Sequence, residues 1–244
     1  MDLHSHLDLY PDAMGMLAEV SRRNAFTLVV TTSPRAWIGT TRMFRNHPNI
    51  HVALGLHPEI VERKADELSL LLSLVEKAPY IGEIGIDGSS RFRGSLALQH
   101  SIFSSVVAQC QVSGGKIMSI HSRGAADLVL DVLERYPHAG PPILHWFSGT
   151  AKQLRRAIEL GCWFSVGPAM LEGLKGQNLF HLMPTTRVLP ETDGPFAQVN
   201  GASLLPWDAV SIDTVVAAYW GISRAQVRMQ WQANLQQLLN RETL

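Results

Sequence analysis

Eight short runs of β-branched and apolar residues alternate with stretches of helical spacing along this 244-residue chain. Runs of this length and composition are typical of buried strands. The strand candidates are Leu3–Leu7, Phe26–Thr31, Ile50–Leu56, Tyr80–Ile86, Lys116–Ile120, Pro142–Trp146, Cys162–Val166 and Arg187–Leu189. Because alternating strands and helices build a parallel sheet, and eight repeats in this length close it, we predict an α/β fold with a (β/α)8 TIM barrel.

Helical spacing between the strands supports this prediction. The clearest candidates are Asp12–Arg23, Ala65–Lys77, Ser95–Val112, Ala125–Arg135 and Lys152–Leu160, with weaker ones after strands two and seven and two closing helices at Ser211–Tyr219 and Arg224–Leu239. An open doubly wound sheet is the competing fold, but the glycine-rich phosphate fingerprint that often follows its first strand is missing. Since no linker, repeat or low-complexity segment interrupts the pattern, we expect a single domain over residues 1–244.

Composition limits the partners that the chain can attract. Its 21 basic and 21 acidic residues leave no net charge, so any attraction to nucleic acid or to a membrane surface must be local. Cys110 and Cys162 lie far apart, which is the pattern of neither a zinc knuckle nor a disulfide framework. No signal peptide and no apolar stretch of membrane-spanning length is evident, so we expect a cytoplasmic protein without membrane contact.

Residues able to bind a metal ion fall at the C-terminal ends of five predicted strands. They are His4 and His6 in strand one, Glu83 in strand four, His121 in strand five, His145 in strand six and Asp193 after strand eight. His4 and His6 are two residues apart and therefore project from one face of their strand. Glu83 lies inside an apolar run, and a buried carboxylate without a partner costs free energy.

Each of these residues, taken alone, is explained about as well by a buried histidine or a helix-capping aspartate. Taken together they indicate a site, because active sites of barrels are built at the C-terminal ends of the strands. Imidazoles and carboxylates without cysteine suit divalent ions such as Mg²⁺, Mn²⁺ or Zn²⁺. The set is large enough for two ions if one carboxylate bridges them. The sequence therefore predicts a barrel of the metal-dependent hydrolase type.

Six ordered motifs carry a family resemblance. They are DLHSHLD at Asp2–Asp8, GLHP at Gly55–Pro58, GEIGID at Gly82–Asp87, IHSRGA at Ile120–Ala125, HWFSG at His145–Gly149 and ETDGPF at Glu191–Phe196. With these motifs the chain resembles the TatD family of metal-dependent deoxyribonucleases, among the amidohydrolase-like barrels. The segments DLYPD, GCWFSVGPAM and LLPWDAV are most similar to the TatD-type nuclease of the Qat anti-phage defence system.

The resemblance implies a role for each candidate residue. His4, His6 and Asp193 would hold one ion, His121 and His145 the second, and Glu83 would bridge them. Two cations about 3.5–4 Å apart can lower the pKa of a shared water and stabilise the attacking and leaving oxygens of a displacement. Asp193 would orient or deprotonate that water, which makes Asp193 and Glu83 the candidate catalytic residues.

Two further residues are candidate substrate-binding groups. Arg123 follows His121 and has a guanidinium fork that suits a non-bridging phosphate oxygen, although a surface ion pair is the alternative. His57 belongs to the GLHP motif and would contact substrate or donate a hydrogen bond within its loop. After Asp87 the aromatic residue that is common in the family is replaced by Gly88, which leaves substrate preference open.

The resemblance implies a DNase that hydrolyses phosphodiester bonds, with DNA as substrate, 3′–5′ exonuclease action on single strands, and a role in anti-phage defence in complex with other Qat proteins. Two alternatives remain open. One is an amidohydrolase-type enzyme acting on a small C–N or ester substrate, since the fold alone does not choose a substrate. A lysine at the end of strand four would favour this alternative, but the chain has Glu83 at that position, which fits a phosphodiesterase better. The other is a nucleic-acid-sensing subunit of a defence complex.

Overall fold

The computed structural model describes residues 1–240. Eight parallel strands within this range follow the order predicted from the sequence. Their bounds are β1 Asp2–Ser5, β2 Thr27–Val30, β3 Ile50–Ala53, β4 Tyr80–Gly85, β5 Ile117–His121, β6 Pro142–His145, β7 Trp163–Val166 and β8 Val188–Pro190. The predicted α/β barrel is confirmed. The single domain over residues 1–244 stays a prediction, and its last four residues lie outside the described part of the chain.

Backbone hydrogen bonds join these strands into two parallel ladders, β1–β2–β3 and β4 through β8. A parallel bridge between Leu54 and Ile81 connects the two ladders where β3 meets β4. The strands therefore follow one another around the barrel in sequence order, as expected for a (β/α)8 fold.

A buried side chain connects β8 with β1. The carboxylate of Asp2 accepts hydrogen bonds from the backbone N of Thr192 at 2.9 Å and from its Oγ1 at 2.6 Å. One residue further along, the backbone N of Asp193 donates to the carbonyl oxygen of His4 at 2.8 Å. This connection holds the first and last strands side by side, so that candidate site residues from both ends of the sequence meet.

Helices surround the strands, and the predicted helices are found close to their predicted bounds. The helices of the described residues are α1 Ala13–Arg23, α2 Pro34–Phe44, α3 Val61–Lys64, α4 Leu68–Leu74, α5 Leu96–Val112, α6 Ala126–Arg135, α7 Ala151–Glu159, α8 Pro168–Glu172, α9 Leu174–Phe180, α10 Asp213–Trp220 and α11 Arg224–Asn240. A short antiparallel hairpin, β9 Gln198–Val199 and β10 Ala202–Ser203, follows β8. No helix within residues 1–240 combines the length and apolar character needed to cross a bilayer.

One predicted helix, Ala65–Lys77, is divided in the structure. Its α-helical part is α4, and 3₁₀ turns cover Ala65–Glu67 and Val75–Lys77. Glu67 is buried and pairs at 2.7 Å with Lys64, three residues earlier. This ion pair joins the end of α3 to the first 3₁₀ turn and holds Glu67 against the barrel.

The N-terminal ends of the strands are filled with apolar side chains. Leu3, Phe26, Ile117 and Trp163 belong to one buried cluster there, and Leu238 of α11 packs against them. Helix α11 thus covers this end of the barrel with buried hydrophobic surface. Polar side chains are concentrated at the opposite, C-terminal ends of the strands.

Asp213 connects α10 to α11. Its fully buried carboxylate accepts hydrogen bonds from Nε of Arg224 and Nε of Arg228, both at 2.8 Å. Burial alone would raise the pKa of Asp213, but the two guanidinium groups outweigh burial and hold that pKa below its usual value.

Replacing this carboxylate is expected to weaken the closing helices. Asp213→Asn should lower the free energy of unfolding at pH 7 by about 1–2 kcal/mol, since the arginines are half exposed and partly screened. Because the folded-state pKa is lowered, the contribution is present above the unfolded pKa and lost as pH falls through the folded pKa. In urea unfolding, the free energy of unfolding of the wild type should exceed that of Asp213→Asn by an amount that shrinks below about pH 4. A difference in the free energy of unfolding that is as large at pH 3 as at pH 7 would contradict a stabilising role for the charged Asp213 carboxylate.

Candidate metal centre

Glu83 lies at the centre of the polar end of the barrel, and its two oxygens face different predicted metal-binding histidines. Its Oε2 is 3.4 Å from Nε2 of His4 and 3.2 Å from Nε2 of His6. Its Oε1 is 2.9 Å from Nδ1 of His121 and 3.0 Å from Nε2 of His145. The structure therefore brings five residues from β4, β5, β6 and the β1 end to one point.

Asp193 and His57 complete this cluster. Oδ1 of Asp193 lies 3.6 Å from Nε2 of His4 and 3.8 Å from Nε2 of His6. Nε2 of His57 lies 3.2 Å from Oε2 of Glu83. All six residues predicted as metal ligands are thus neighbours, and the predicted substrate-binding residue His57 adjoins them.

Two glycines allow the close approach of backbone that builds this cluster. A Cβ atom at Gly55 would overlap the carbonyl oxygen of Thr31 and the backbone nitrogen of Glu83. Gly85 has a φ of 138°, and a Cβ there would overlap the carbonyl oxygen of His121. A side chain at either position would push apart the strand ends that carry Glu83 and His121.

The donor set fits divalent cations. Three groups of side chains place their ligand atoms within 4.8 Å of one another: His4 with His6 and Glu83, His4 with His145 and Asp193, and His57 with Glu83 and His121. Among the described residues, Nε2 of His4 and Oε2 of Glu83 are buried polar atoms that form no hydrogen bond. Buried polar atoms are normally satisfied, so these two are accounted for by a bound cation.

A carboxylate outside the cluster orients His121. Oδ2 of Asp87 lies 2.7 Å from Nε2 of His121, whereas Oε1 of Glu191 lies 3.8 Å from Nδ1 of His145, beyond hydrogen-bond distance. A carboxylate at one ring nitrogen favours the proton there, and the other nitrogen then presents its lone pair. In His121 that other nitrogen, Nδ1, faces Glu83, as metal ligation requires.

His57 has the opposite arrangement. Its Nδ1 accepts a hydrogen bond from the backbone N of Glu59 at 3.1 Å, so the proton of the neutral ring is on Nε2. This nitrogen lies 3.2 Å from Oε2 of Glu83, where a metal ligand would have to present a lone pair. A donor suits an anionic oxygen better than it suits a cation, which separates His57 from His121.

Sequence reasoning assigned no role to Asp87 or Glu191. Both are buried, and Glu191 also accepts hydrogen bonds from the backbone N of Trp146 at 3.0 Å and from Oγ of Ser165. The available signal was their place inside the GEIGID and ETDGPF motifs, each of which carries two acids while only one, Glu83 or Asp193, was needed as a ligand.

Burial and mutual charge determine protonation in the cluster. Burial alone would raise the pKa of Glu83, but the imidazoles of His57, His145 and His4 hold it well below its ordinary value. Burial and the neighbouring His145 lower the pKa of His4. Burial would also lower the pKa of His145, yet Glu83 and Glu191 raise it well above its ordinary value. Glu83 is accordingly an anion, the charge state in which a carboxylate binds cations.

An open cleft with two lobes lies over the cluster. One lobe, of about 420 Å³, is lined by Ser122, Trp146 and Ser148, and the other, of about 400 Å³, by residues that include His6, His57 and Phe196. His121, Arg123, His145, Trp146 and Asp193 border both lobes. The guanidinium of Arg123 is exposed and has no ion-pair partner among the described residues. The cleft therefore offers a free cation beside the metal-binding groups.

Comparison with known proteins decides the family. The family described as TatD related DNase matches residues 1–240 of this chain. The chain belongs to this family. The resemblance seen in the six motifs is thereby confirmed, as is the predicted enzyme class, a metal-dependent hydrolase acting on phosphodiester bonds.

Curated relatives of this TatD-family chain are distant in sequence but similar in length. Human deoxyribonuclease TATDN3 is 25% identical over 93% of this chain and 89% of the human protein. The uncharacterized metal-dependent hydrolase YjjV of Escherichia coli K12 is 26% identical over 82% of this chain and 81% of its own length. The 3′-5′ ssDNA/RNA exonuclease TatD of Citrobacter rodentium is 27% identical over 64% of this chain and 61% of that protein.

Solved structures agree on the fold. The crystal structure of the TatD homologue YjjV from Escherichia coli superposes with a TM-score of 0.86 at 22% identity, covering 96% of this chain and 95% of that one. A TatD-family hydrolase from Entamoeba histolytica gives a TM-score of 0.83 at 17% identity, covering 97% and 96%. At these identities the likeness establishes the barrel and leaves the substrate to be argued from the site.

Proposed function

We propose that this TatD-family chain hydrolyses phosphodiester bonds of single-stranded DNA with two divalent cations, Mg²⁺, Mn²⁺ or Zn²⁺. The arrangement of Glu83 carries the proposal. One of its oxygens faces His4 and His6, and the other faces His121 and His145. A carboxylate with a separate pair of imidazoles at each oxygen suits two neighbouring ions better than one.

In this proposal His4, His6 and Asp193 would hold one ion, His121 and His145 would hold the other, and Glu83 would serve both. Bound divalent cations supply Lewis acidity, which polarises phosphoryl oxygens and acidifies water. His57 is not a ligand, because the hydrogen bond from the backbone of Glu59 keeps the proton on its Nε2.

The chain's own groups position the substrate and move the proton. Arg123 has an unpaired guanidinium beside the cluster and holds a non-bridging phosphate oxygen. His57 donates from Nε2 to a second anionic oxygen on the other side of the cluster. Asp193 borders both lobes of the cleft, and its carboxylate accepts the proton of the attacking water.

We propose further that cleavage proceeds from the 3′ end of single strands, as in the bacterial relative named a 3′-5′ ssDNA/RNA exonuclease. A 5′-labelled single-stranded oligonucleotide should be shortened progressively in Mn²⁺ or Mg²⁺. Chelation should abolish this cleavage, and added metal should restore it. Retention of the 5′ label on the shortened fragments is the expected result; release of labelled mononucleotide at the outset would show the opposite polarity.

An amidohydrolase-type activity is the second candidate, since it uses similar ligand sets on related barrels. The free guanidinium of Arg123 beside the metal ligands favours the phosphodiester, because its planar fork matches phosphate oxygens. Assaying the chain on oligonucleotides and on a panel of amides and lactones separates the two. Turnover confined to the amide and lactone panel would contradict the nuclease proposal.

The narrower resemblance to the Qat defence nuclease is carried by the segments DLYPD, GCWFSVGPAM and LLPWDAV. On this basis we propose a cytoplasmic enzyme that serves anti-phage defence together with other Qat proteins. Co-purification with the products of neighbouring genes, and activity enhanced by them, is the expected result. An isolated chain that is fully active and never co-purifies would contradict this part of the proposal.

The role of Asp87 in orienting His121 leads to a prediction about metal affinity. Oδ1 of Asp87 accepts a hydrogen bond from the backbone N of Ser89 at 2.8 Å, so Asp87→Asn must keep an oxygen there and turn its NH₂ toward His121. This NH₂ donates to Nε2 and moves the ring proton to Nδ1, the nitrogen that faces Glu83. Isothermal titration should show metal affinity reduced by about 10- to 100-fold.

Asp127→Asn provides the matched control, because the same chemical change is made at a carboxylate that is 66% exposed on α6. Its metal affinity should equal that of the wild type. Equal affinities for Asp87→Asn and Asp127→Asn would show that Asp87 does not control the His121 tautomer.

A further inference from the structure

Phe196 is an exposed aromatic side chain beside the metal centre. It is 63% exposed, and its ring meets the ring of His6 edge to face with centroids 5.0 Å apart and planes at 78°. It lines the lobe of the cleft that also contains His57 and Ile60, and it is absent from the lining of the other lobe. An aromatic face is thus presented to solvent within ring-contact distance of a predicted metal ligand.

The backbone on either side of Phe196 is fixed. The backbone N of Ala197 donates to the carbonyl oxygen of Asp193 at 2.9 Å, and its carbonyl oxygen accepts from the N of Leu204 at 3.0 Å. Ala197 is buried, and the carbonyl oxygen of Gly194 accepts from the N of His6 at 2.8 Å. A ring exposed on so constrained a loop loses little conformational entropy on binding a ligand.

The chemistry of the two lobes distinguishes them. The lobe with Phe196 has the donor Nε2 of His57 and an apolar wall at Ile60, which the other lobe lacks, and it shares the guanidinium of Arg123 with that lobe. The His57 and Arg123 donors can form hydrogen bonds with phosphate oxygens, and the ring face of Phe196 can stack on a nucleobase. The second lobe has the hydroxyls of Ser122 and Ser148 and only one aromatic, Trp146, which it shares with the first.

We propose that Phe196 stacks on the base of the nucleotide next to the scissile phosphate and thereby sets a preference for unpaired, base-bearing nucleic acid. This inference rests on the proposed phosphodiesterase function and specifies its substrate. Stacking on Phe196 requires the base to leave the duplex stack, since a base inside a duplex has both faces covered by the neighbouring base pairs. The preference for single strands therefore arises from this ring and not from a base-specific hydrogen bond.

A structural role for Phe196 is the competing explanation, because the ring also shields one edge of His6 from water. Phe196→Leu distinguishes the two, since leucine keeps an apolar cover and removes the aromatic face. Phe196→Trp keeps and enlarges the face. Met229→Ala, at a side chain that is 66% exposed on α11 and is not among the cleft-lining residues, is the matched control.

The test uses the full chain loaded with Mn²⁺ and two kinds of probe. Single strands with phosphorothioate linkages and 2-aminopurine at successive positions report stacking by fluorescence quenching. A 5′-labelled dimer of two abasic tetrahydrofuran residues, a small diester without any aromatic ring, reports the metal centre alone. Phe196→Leu should bind the strands at least about fivefold more weakly and lose the quenching at one position. It should turn over the small diester as the wild type does, and Phe196→Trp should keep both properties.

Unchanged strand affinity and quenching in Phe196→Leu would overturn the inference while leaving the nuclease proposal intact. Loss of turnover of the small diester in Phe196→Leu would also overturn it, in favour of the shielding role. Failure of the wild type to hydrolyse both the small diester and an unmodified single strand would instead contradict the proposed function, so the two failures are distinguishable.

Discussion

Glu83→Gln is expected to reduce phosphodiester hydrolysis by about 10²- to 10⁴-fold, because it removes the anion that faces both pairs of histidines. Losing one partner of a buried, charge-paired group costs about 3–5 kcal/mol, which corresponds to about two to four powers of ten in rate. Glutamine has nearly the same size, so steric change contributes little. The amide nitrogen also replaces an acceptor with a donor on one side of the bridge, where only an acceptor can bind a cation.

Rates on a labelled single strand and on bis(p-nitrophenyl) phosphate should fall together in Glu83→Gln, since the defect is in the centre and not in substrate binding. Glu62→Gln, at an exposed position of α3, should leave both rates unchanged. Circular dichroism verifies that the variant is folded. Robust metal-dependent cleavage by folded Glu83→Gln would show that Glu83 does not bridge two ions.

The predicted ligand set could be read from the sequence because parallel strands fix where their C-terminal ends meet. His4 and His6 needed only the two-residue alternation of a strand, and Glu83 was visible as an acid in an apolar run. His121 and His145 were visible through their places at strand ends. The structure brings these residues to distances of 2.9–3.4 Å from Glu83.

The surroundings of the ligands could not be read in the same way. Asp2 shares a strand face with His4 and His6, so alternation alone makes it as good a ligand candidate as they are. In the structure its oxygens are occupied by Thr192, and it closes the barrel instead. Whether a buried carboxylate binds an ion or a neighbouring strand depends on contacts between residues 190 positions apart, which no local pattern contains.

The exposure of the Phe196 side chain could not be predicted from the sequence either. In the sequence it is the last letter of the ETDGPF motif, and an aromatic at such a place is more often packed than exposed. Its exposure follows from the hydrogen bonds that hold Ala197 and Gly194, which come from β1 and from the hairpin that follows β8. Side-chain orientation in a loop is thus determined by distant partners of its backbone.

Asp193→Asn is expected to separate catalysis from metal binding. Asp193 has a φ of 55°, and asparagine, like aspartate, tolerates this left-handed conformation, so the loop should be preserved. Its carboxylate borders both lobes of the cleft, whereas Glu83 is 1% exposed, so Asp193 is the acid that can exchange a proton with bound water. An amide cannot accept that proton, and kcat should fall by about 10²- to 10⁴-fold.

The amide oxygen introduced by Asp193→Asn is still a neutral ligand, so metal should still stabilise this variant. At a metal concentration of about 100 times Kd, binding adds about 2.7 kcal/mol, or roughly 5–10 °C in Tm for a chain of this length. We expect most of this shift in Asp193→Asn, the full shift in the exposed control Asp66→Asn, and the smallest shift in Glu83→Gln, whose amide keeps an oxygen on one side and places a donor on the other. Loss of the shift in Asp193→Asn would make Asp193 chiefly a ligand, whereas an unchanged kcat would exclude it as the proton acceptor.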